Sequence, residues 1–249
     1  MKEQQKKYEL TDEFIEIFGG KKLYRIKALV SFGVVVAGQL GGFVESEKNL
    51  DQSLSGNAWV SGDARVYGNA RVYGNAQVYG NAWVYGDAWV SGDAEVYGDA
   101  RVCGDARVSG NAEVSGNAEV SGNAWVSGNA WVYGDARVYG DARVCGDARV
   151  SGNAWVYGDA RVYGDARVRS HAVIFEHKMI FWASNVGSEN GTLTVFNGKD
   201  GLIVTRGCFT GTVDEFLAKS AEVHDDKTKN EYKLLIKVAK SRILGVKDE

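Results

Sequence analysis

Proline is absent from this 249-residue chain, and cysteine and histidine occur only three times each. Proline fits internal strands poorly, so its absence agrees with a chain built from stacked strands. Three widely spaced cysteines do not form a disulfide framework, which favours a reducing, cytoplasmic setting. Scarce histidine also limits the options for general-base catalysis and for zinc binding.

Long apolar runs are lacking as well. The most apolar stretch, 28–40, is short and broken by glycine, and the first residues are polar, so we expect neither a transmembrane helix nor a signal peptide. A net charge of −3 argues against a general polyanion binder. With 45% hydrophobic residues the chain belongs to the folded class of proteins. We therefore expect no membrane partner.

The chain contains nineteen consecutive copies of a six-residue repeat, Gly-(Asn/Asp)-Ala-x-Val-y, over residues 56–169. A short fixed period indicates a solenoid, whose units bury their apolar side only by stacking. Ala and Val alternate with x and y, so Ala and Val line the interior while x and y point outward. Gly with Asn or Asp marks the corner, because all three tolerate left-handed backbone.

The phrase resembles the hexapeptide repeat of left-handed parallel β-helices, as Val60, Asp63 and Ala64 illustrate in their spacing. The resemblance implies three units per triangular coil and a left-handed winding. The predicted fold is therefore an all-β solenoid, a left-handed parallel β-helix of about six triangular coils. We expect α+β capping segments at both ends, because open ends of a β-helix expose unpaired strand edges.

We divide the chain into an N-terminal cap (1–55), the β-helix (56–169) and a C-terminal α+β domain (170–249). In the N-terminal cap we expect a helix at 11–18 that begins at Thr11 and stops at the following glycines. Strands are predicted at 22–32 and 33–36, and Leu54 is in register with Val60 to begin the first coil.

In the C-terminal domain, the spacing of apolar and turn residues predicts a strand-like segment, a two-stranded hairpin and two helices. Thr212 with Glu215 forms a capping box that opens the first helix. The expected elements are a strand-like segment at 172–183, a hairpin of strands 192–196 and 202–205, a helix from 213 to about 224, and a helix from about 230 to 244 with Tyr232, Leu235, Ile236 and Ala239 on one face.

Both ends resemble segments of phage and prophage proteins of bacteria that carry this same repeat. The matching stretches are residues 40–50 before the coil and residues 207–212 with Glu215 and Phe216 after it. This resemblance implies a phage or prophage origin, and it brings no assigned chemistry with it.

Because every third unit stacks, the x residues sort into three faces. The first face carries Trp59, Gln77, Glu95, Glu113, Trp131, Arg149 and Arg167. The second face carries Arg65, Trp83, Arg101, Glu119, Arg137 and Trp155. The third face carries Arg71, Trp89, Arg107, Trp125, Arg143 and Arg161.

The third face has no acid at x and alternates cation with indole, so it is the candidate binding site for a planar anionic ligand or an acidic protein surface. A purely structural role competes with this interpretation, because Arg–Trp stacks stabilise the coil by themselves. Eight of the nine x-position arginines also follow an Asp two residues earlier, which is expected to neutralise them.

Rows of tyrosine indicate either an interface or a ladder that holds the register. Glu95 below Glu113 is a repulsive pair with no evident structural benefit, and it is a candidate contact for a cationic partner.

Enzyme functions have less support. Hexapeptide β-helices include acyltransferases that use a histidine base, but His171, His177 and His224 all lie beyond the coil, the first two near its last turn. The zinc-dependent carbonic anhydrase branch needs histidines within the coils. Cys208 with His224 indicates either a thiol site or, more simply, a packed thiol. We predict no catalytic residue, no metal site and no cofactor.

The sequence therefore predicts a non-catalytic, cytoplasmic binding or scaffold protein, of phage or prophage origin. It would present rigid faces to a host protein, such as a defence component, or to an anionic ligand. Homo-oligomerisation through an aromatic face is a further expectation. An acyltransferase-like enzyme and a nucleic-acid or nucleotide binder acting through the third face are the alternatives.

Overall fold

The computed structural model describes residues 5–245 and begins with a β-hairpin. Strands β1 (Tyr8–Ile17) and β2 (Lys21–Ala28) pair antiparallel, and β2 pairs with β3 (Leu40–Val44). The helix predicted at 11–18 is wrong, because this segment is the second half of β1. Gly19 and Gly20 both have positive φ, at 85° and 74°, and they turn the hairpin instead of stopping a helix.

The rest of the N-terminal cap also differs from expectation. The strand predicted at 22–32 ends at Ala28, and the segment 33–36 is not a strand but part of a tight turn closed by the bridge between Phe32 and Val35. A short 3₁₀ helix follows at Glu47–Asn49. The cap therefore consists of strands and turns, which pack over the first coil.

The main body is a parallel β-solenoid of about seven turns with caps at both ends, which confirms the predicted all-β solenoid. Each repeat unit contributes one two-residue strand, formed by its x and Val positions. The strands β4 to β22 are, in order, Trp59–Val60, Arg65–Val66, Arg71–Val72, Gln77–Val78, Trp83–Val84, Trp89–Val90, Glu95–Val96, Arg101–Val102, Arg107–Val108, Glu113–Val114, Glu119–Val120, Trp125–Val126, Trp131–Val132, Arg137–Val138, Arg143–Val144, Arg149–Val150, Trp155–Val156, Arg161–Val162 and Arg167–Val168.

Three sheets run along the coil, and residues eighteen apart pair in all of them. Arg107, for example, pairs with Trp89 below and Trp125 above. The first face is a seven-stranded sheet and the third a six-stranded sheet, while the second face continues through β3, β2 and β1 into a ten-stranded sheet. Three units therefore make one coil, as predicted.

Within the nineteen regular units, the Ala and Val side chains line the interior. The Ala and Val side chains from Ala58 to Val168 are 0–1% exposed, which confirms their inward placement. From Trp59 to Trp155, each backbone N–H at x donates to an Ala carbonyl of the next coil, as Arg107 N does to Ala124 O at 2.9 Å. Small side chains let the three sheets approach closely, and the ladder satisfies the buried backbone.

The corners are formed by glycine alone. From Gly62 to Gly164 these residues have φ between 62° and 73°, and a Cβ on Gly110 would lie 3.0 Å from the backbone N of Gly128. Asn and Asp of the repeat are not in the left-handed region, contrary to expectation. Instead their side chains hydrogen-bond along the corner, as Asn123 Nδ2 does to Asp141 Oδ1 at 2.9 Å. This ladder fixes the register of neighbouring coils.

Three degenerate units extend the coil beyond the nineteen regular ones. Val44 pairs with Val66 and Leu50 bridges Val72 before the repeat, and β23 (Val173–Ile174) pairs with β20 after it. Residues 52–55 are an insertion that shifts the register by four. Leu54 is therefore 49% exposed, and Leu50 takes the inward place that was predicted for Leu54.

At the N-terminal end of the coil, the first Ala carbonyls have no earlier repeat unit to donate hydrogen bonds to them. Buried Lys7 donates its Nζ to Gly56 O at 3.3 Å and to Ala58 O at 3.2 Å. Asn49 Nδ2 donates to Gly68 O at 3.0 Å and to Ala70 O at 2.9 Å. The N-terminal cap thus supplies side-chain donors to the open edge.

At the opposite end the C-terminal domain supplies both an acceptor and a donor. Arg167 N donates to Thr194 Oγ1 at 3.0 Å, and Thr205 Oγ1 donates to Arg167 O at 2.7 Å. Both threonines belong to a four-stranded antiparallel sheet that covers the last coil, and Phe196 of this sheet joins the coil's buried core.

The C-terminal domain consists of that sheet and two helices. Its elements are a 3₁₀ helix at His177–Met179, β24 (Ile180–Val186), β25 (Gly191–Gly198), β26 (Gly201–Arg206), β27 (Phe209–Thr212), α1 (Val213–Val223) and α2 (Asp226–Leu244). The predicted hairpin and the Thr212–Glu215 capping box are confirmed. The prediction of a single strand at 172–183 is wrong, because this segment is divided among β23, the 3₁₀ helix and the first part of β24. Helix α2 begins four residues earlier than predicted, because Asp225 caps it.

The helices pack on the sheet through a second apolar cluster. Tyr232, Ile236 and Ala239 of α2 are buried there with Phe216 of α1. Leu235 is partly buried against the same cluster, so the predicted apolar face of α2 is confirmed. Within residues 5–245, no helix has the length and apolarity required to cross a bilayer.

We expect the Asn49→Ala substitution to destabilise the protein by about 2 kcal/mol, because it leaves one buried and one half-buried carbonyl without donors. The matched control is Gln77→Ala, since the Gln77 amide also donates to two carbonyls but does so in solvent, where water replaces it. Urea unfolding followed by circular dichroism measures both changes. Equal effects of the two substitutions would contradict the role assigned to Asn49.

Candidate functional site

The third face forms a straight ladder of side chains, as predicted. Arg71, Trp89, Arg107, Trp125, Arg143 and Arg161 lie on β6, β9, β12, β15, β18 and β21, and each pairs in register with the next. All six side chains are exposed, and Trp125 is 40% exposed. The backbone ladder therefore aligns one cation or indole per coil on a flat surface.

Arginine and tryptophan contact each other along this ladder. The guanidinium groups of Arg71 and Arg107 lie 6.0 and 5.6 Å from the ring centre of Trp89, and Arg143 lies 5.8 Å from that of Trp125. At exposed positions each such contact contributes about 0.5–1 kcal/mol. The ladder is therefore partly ordered before any ligand binds.

The same type of contact occurs on the other two faces. Arg65 and Arg101 flank Trp83 at 4.8 and 5.8 Å, and Arg149 lies 4.8 Å from Trp131. Cation–π stacking is thus a general property of this coil and stabilises it everywhere. What distinguishes the third face is that no acid occupies an x position on it.

The aspartates at the corners do not neutralise the arginines in the expected way. In the described part of the chain, no arginine of the coil lies within the 4.0 Å that defines a salt bridge to a carboxylate. Corner carboxylates instead accept hydrogen bonds from asparagines one coil earlier, as Asp87 does from Asn69 at 2.8 Å. The guanidinium donors of the third face therefore remain available to a partner, although the corners keep their negative charge.

At its N-terminal end the third face borders a cavity of about 450 Å³. Arg71 and Trp89 form one wall, and Glu47 and Asp51 of the N-terminal cap form the other. These two carboxylates oppose anion binding at this end, so the middle of the ladder is the more favourable place for an anion.

A second groove, of about 490 Å³, lies at the C-terminal end of the second face. Arg137 and Trp155 line it with His171 and Lys199, and Arg137 lies 5.3 Å from the Trp155 ring centre. These four residues are far apart in the sequence and share no motif there. The missed signal is that Ala172 and Ile174 continue the repeat, which places His171 at the corner position above Asn153.

On the first face, Trp59 is not displayed, because the N-terminal cap buries it against Tyr8 and Phe32. The two glutamates of this face that were expected to repel each other, Glu95 and Glu113, both have tyrosine partners. Tyr79 donates its hydroxyl to Glu95 at 2.7 Å, and Tyr97 donates to Glu113 at 3.1 Å.

The tyrosine rows predicted from the repeat are confirmed. The rings of Tyr79 and Tyr97 stack with their centres 4.9 Å apart, as do those of Tyr139 and Tyr157. Burial raises the pKa of the Tyr79 phenol, and its hydrogen bond to Glu95 raises this pKa further. The Tyr–Glu pairs are therefore structural elements of the first face.

The cysteines and histidines do not assemble a catalytic centre in the described residues. Cys103, Cys145 and Cys208 are free thiols, and burial raises the pKa of Cys103. Cys208 is exposed, so the prediction that it is a packed thiol is wrong. His177 Nε2 lies 3.9 Å from Asp159 Oδ2, which is too far for a hydrogen bond. The described residues also hold no group of three or more His, Cys, Asp or Glu side chains arranged for a metal ion.

The coil places this chain among the parallel β-solenoid proteins. Within that class, six segments match the family model of the YdcK beta solenoid repeat, at residues 64–77, 76–92, 100–116, 118–134, 142–158 and 154–170. No curated protein matches the chain. The matched segments all belong to the coil, so the likeness concerns the scaffold and brings no site residue with it.

We expect the protein to lose stability as the pH rises above about 10, the ordinary pKa of tyrosine. The raised pKa of Tyr79 favours its neutral form in the folded state, so its contribution is complete below that pH and is lost on ionisation. Thermal unfolding of the wild type and of Tyr79→Phe, at about pH 8 and about pH 11, measures this. The loss between these pH values should be smaller in the variant, and an equal loss would contradict the assignment.

Proposed function

We propose that this protein is a non-catalytic binding scaffold whose third face holds an anionic partner. The observation that carries the proposal is the exposed ladder from Arg71 to Arg161, with one cation or indole per coil and no acid at x. Guanidinium groups bind carboxylates and phosphates in a bidentate manner, and indoles add apolar contact. The hydrogen-bonded coil holds these groups in place, so little conformational entropy is lost on binding.

The partner we favour is an acidic protein surface. A flat face with regularly spaced arginines and tryptophans resembles the side-chain composition of protein interfaces, which are enriched in both residue types. In the middle of the ladder, Arg107 lies between Trp89 and Trp125, at the position where energetically dominant residues usually cluster.

The resemblance of residues 40–50 and 207–212 to phage and prophage proteins adds the biological part of the proposal. We infer a hexapeptide-repeat protein of phage or prophage origin that sequesters or blocks a component of its bacterial host. A host defence protein is the natural class of target for such a protein. This part of the proposal rests on the resemblance and not on the geometry of the ladder.

A test compares the wild type with the double variant Arg107→Glu/Trp125→Ala. The matched control is Arg101→Glu on the second face, because Arg101 is exposed, contacts a tryptophan and also follows an Asp. Each tagged protein is used to capture partners from a bacterial lysate, and the affinity for a purified captured protein is then measured by calorimetry. We expect the double variant to bind at least about tenfold more weakly and the control to bind like the wild type.

The same experiment separates the rival interpretation. The rival result is capture of nucleic acid or nucleotides instead of a protein. Binding of nucleic acid would weaken steeply with added salt, and nuclease treatment would abolish it. This result would replace the protein partner by a nucleic-acid ligand on the same face. Undiminished capture by the double variant would contradict the proposed face altogether.

We also propose that the aromatic surface supports self-association. Trp131 and Trp155, on the first and second faces, are 38% and 42% exposed, so apolar surface remains on more than one side of the coil. Light scattering coupled to size exclusion should show a mass that increases with protein concentration, and Trp131→Gln should reduce the increase. A single monomeric species at all concentrations would contradict this proposal.

A further inference from the structure

The C-terminal domain contains a small cavity of about 240 Å³ between the turn that joins β26 to β27 and the two helices. Three aromatic residues, Phe209, Phe216 and Tyr232, form part of its walls. The exposed thiol of Cys208 lines it as well. The cavity is larger than the roughly 150 Å³ that holds a benzene molecule in an engineered protein, so a ligand with one aromatic ring fits.

Two polar atoms in the wall lack partners. Ser220 is only 3% exposed, and its Oγ has no hydrogen-bond partner among the described residues. The same holds for the buried Nδ1 of His224, which lines the cavity from the end of α1. Folded proteins pair nearly all such atoms, so two orphaned atoms in one cavity indicate that something else pairs with them.

Arg206 is fixed at the same cavity. Its Nε donates to the Tyr232 hydroxyl at 3.0 Å and its Nη2 to Val186 O at 3.1 Å. These bonds depend on glycine at two neighbouring positions. A side chain on Gly187 would overlap the Tyr232 hydroxyl, and one on Gly191 would overlap the guanidinium group. Such a tightly held guanidinium places positive charge beside the cavity without blocking it.

We propose that this cavity binds a small aromatic carboxylate. The ring packs among Phe209 and Phe216, and the carboxylate accepts hydrogen bonds from the Ser220 hydroxyl and from His224, in the form that carries a proton on Nδ1. Arg206 and Lys219 add positive charge, although Lys219 also pairs with Glu222 at 3.2 Å. Glu189 also lines the cavity, and its negative charge disfavours more highly charged anions. This site is independent of the third face.

The test uses the full chain and sodium benzoate as the probe, followed by nitrogen-15 NMR. Saturable shifts should be confined to residues around Ser220, His224 and Cys208. Benzamidine, which has the same shape and the opposite charge, should not produce them. Benzoate should also slow alkylation of Cys208 by iodoacetamide while leaving the half-buried Cys103 and Cys145 unaffected.

The Ser220→Ala variant should weaken benzoate binding about tenfold, the usual effect of losing a hydrogen bond to a charged group. It should fold with an unchanged or higher melting temperature, because the lost hydroxyl has no partner in the unliganded protein. Ser241→Ala, an exposed serine on α2, is the matched control and should bind normally. The absence of saturable shifts, equal shifts with benzamidine, or undiminished binding by Ser220→Ala would each overturn the proposal.

Discussion

The structure depends on the backbone hydrogen-bond ladder that joins each coil to the next. From Trp59 to Trp155, each x-position N–H donates to the Ala carbonyl seventeen residues later, in the next coil. At the two open ends of the coil, backbone groups of this ladder lack a neighbouring coil to pair with. The caps supply the missing partners. Lys7 and Asn49 bring donors to the first coil, and Thr194 brings an acceptor to the last.

The same ladder determines what the surface can display. Because residues eighteen apart lie directly above one another, the x side chains of every third unit form a straight row. The row on the third face alternates charge and aromatic surface, and the corner side chains bond among themselves rather than to the arginines. Order in the corners therefore preserves hydrogen-bonding capacity on the flat face.

The fold of the coil followed from its sequence, because an invariant Ala and Val in each unit leave one solution for the interior. The third face followed as well, since register alone assigns its six residues. Leu54 was misplaced because residues 52–55 interrupt the period, and only tertiary pairing shows that Leu50 is inward. Residues 11–18 were mistaken for a helix because two glycines read equally as a helix stop or a hairpin turn. The left-handed winding, which the resemblance implies, stays a prediction.

The coil and the C-terminal domain are suited to different kinds of recognition. A two-residue strand offers one outward side chain, so neighbouring groups on a face are parallel and do not converge on a point. Such a surface suits an extended partner and gives a small molecule few simultaneous contacts. In the C-terminal domain, Arg206 on a strand and Ser220 on a helix approach the same cavity from different elements. Side chains can converge in this way only in a segment that does not follow the repeat. We therefore place the small-ligand site in the C-terminal domain and not on the coil.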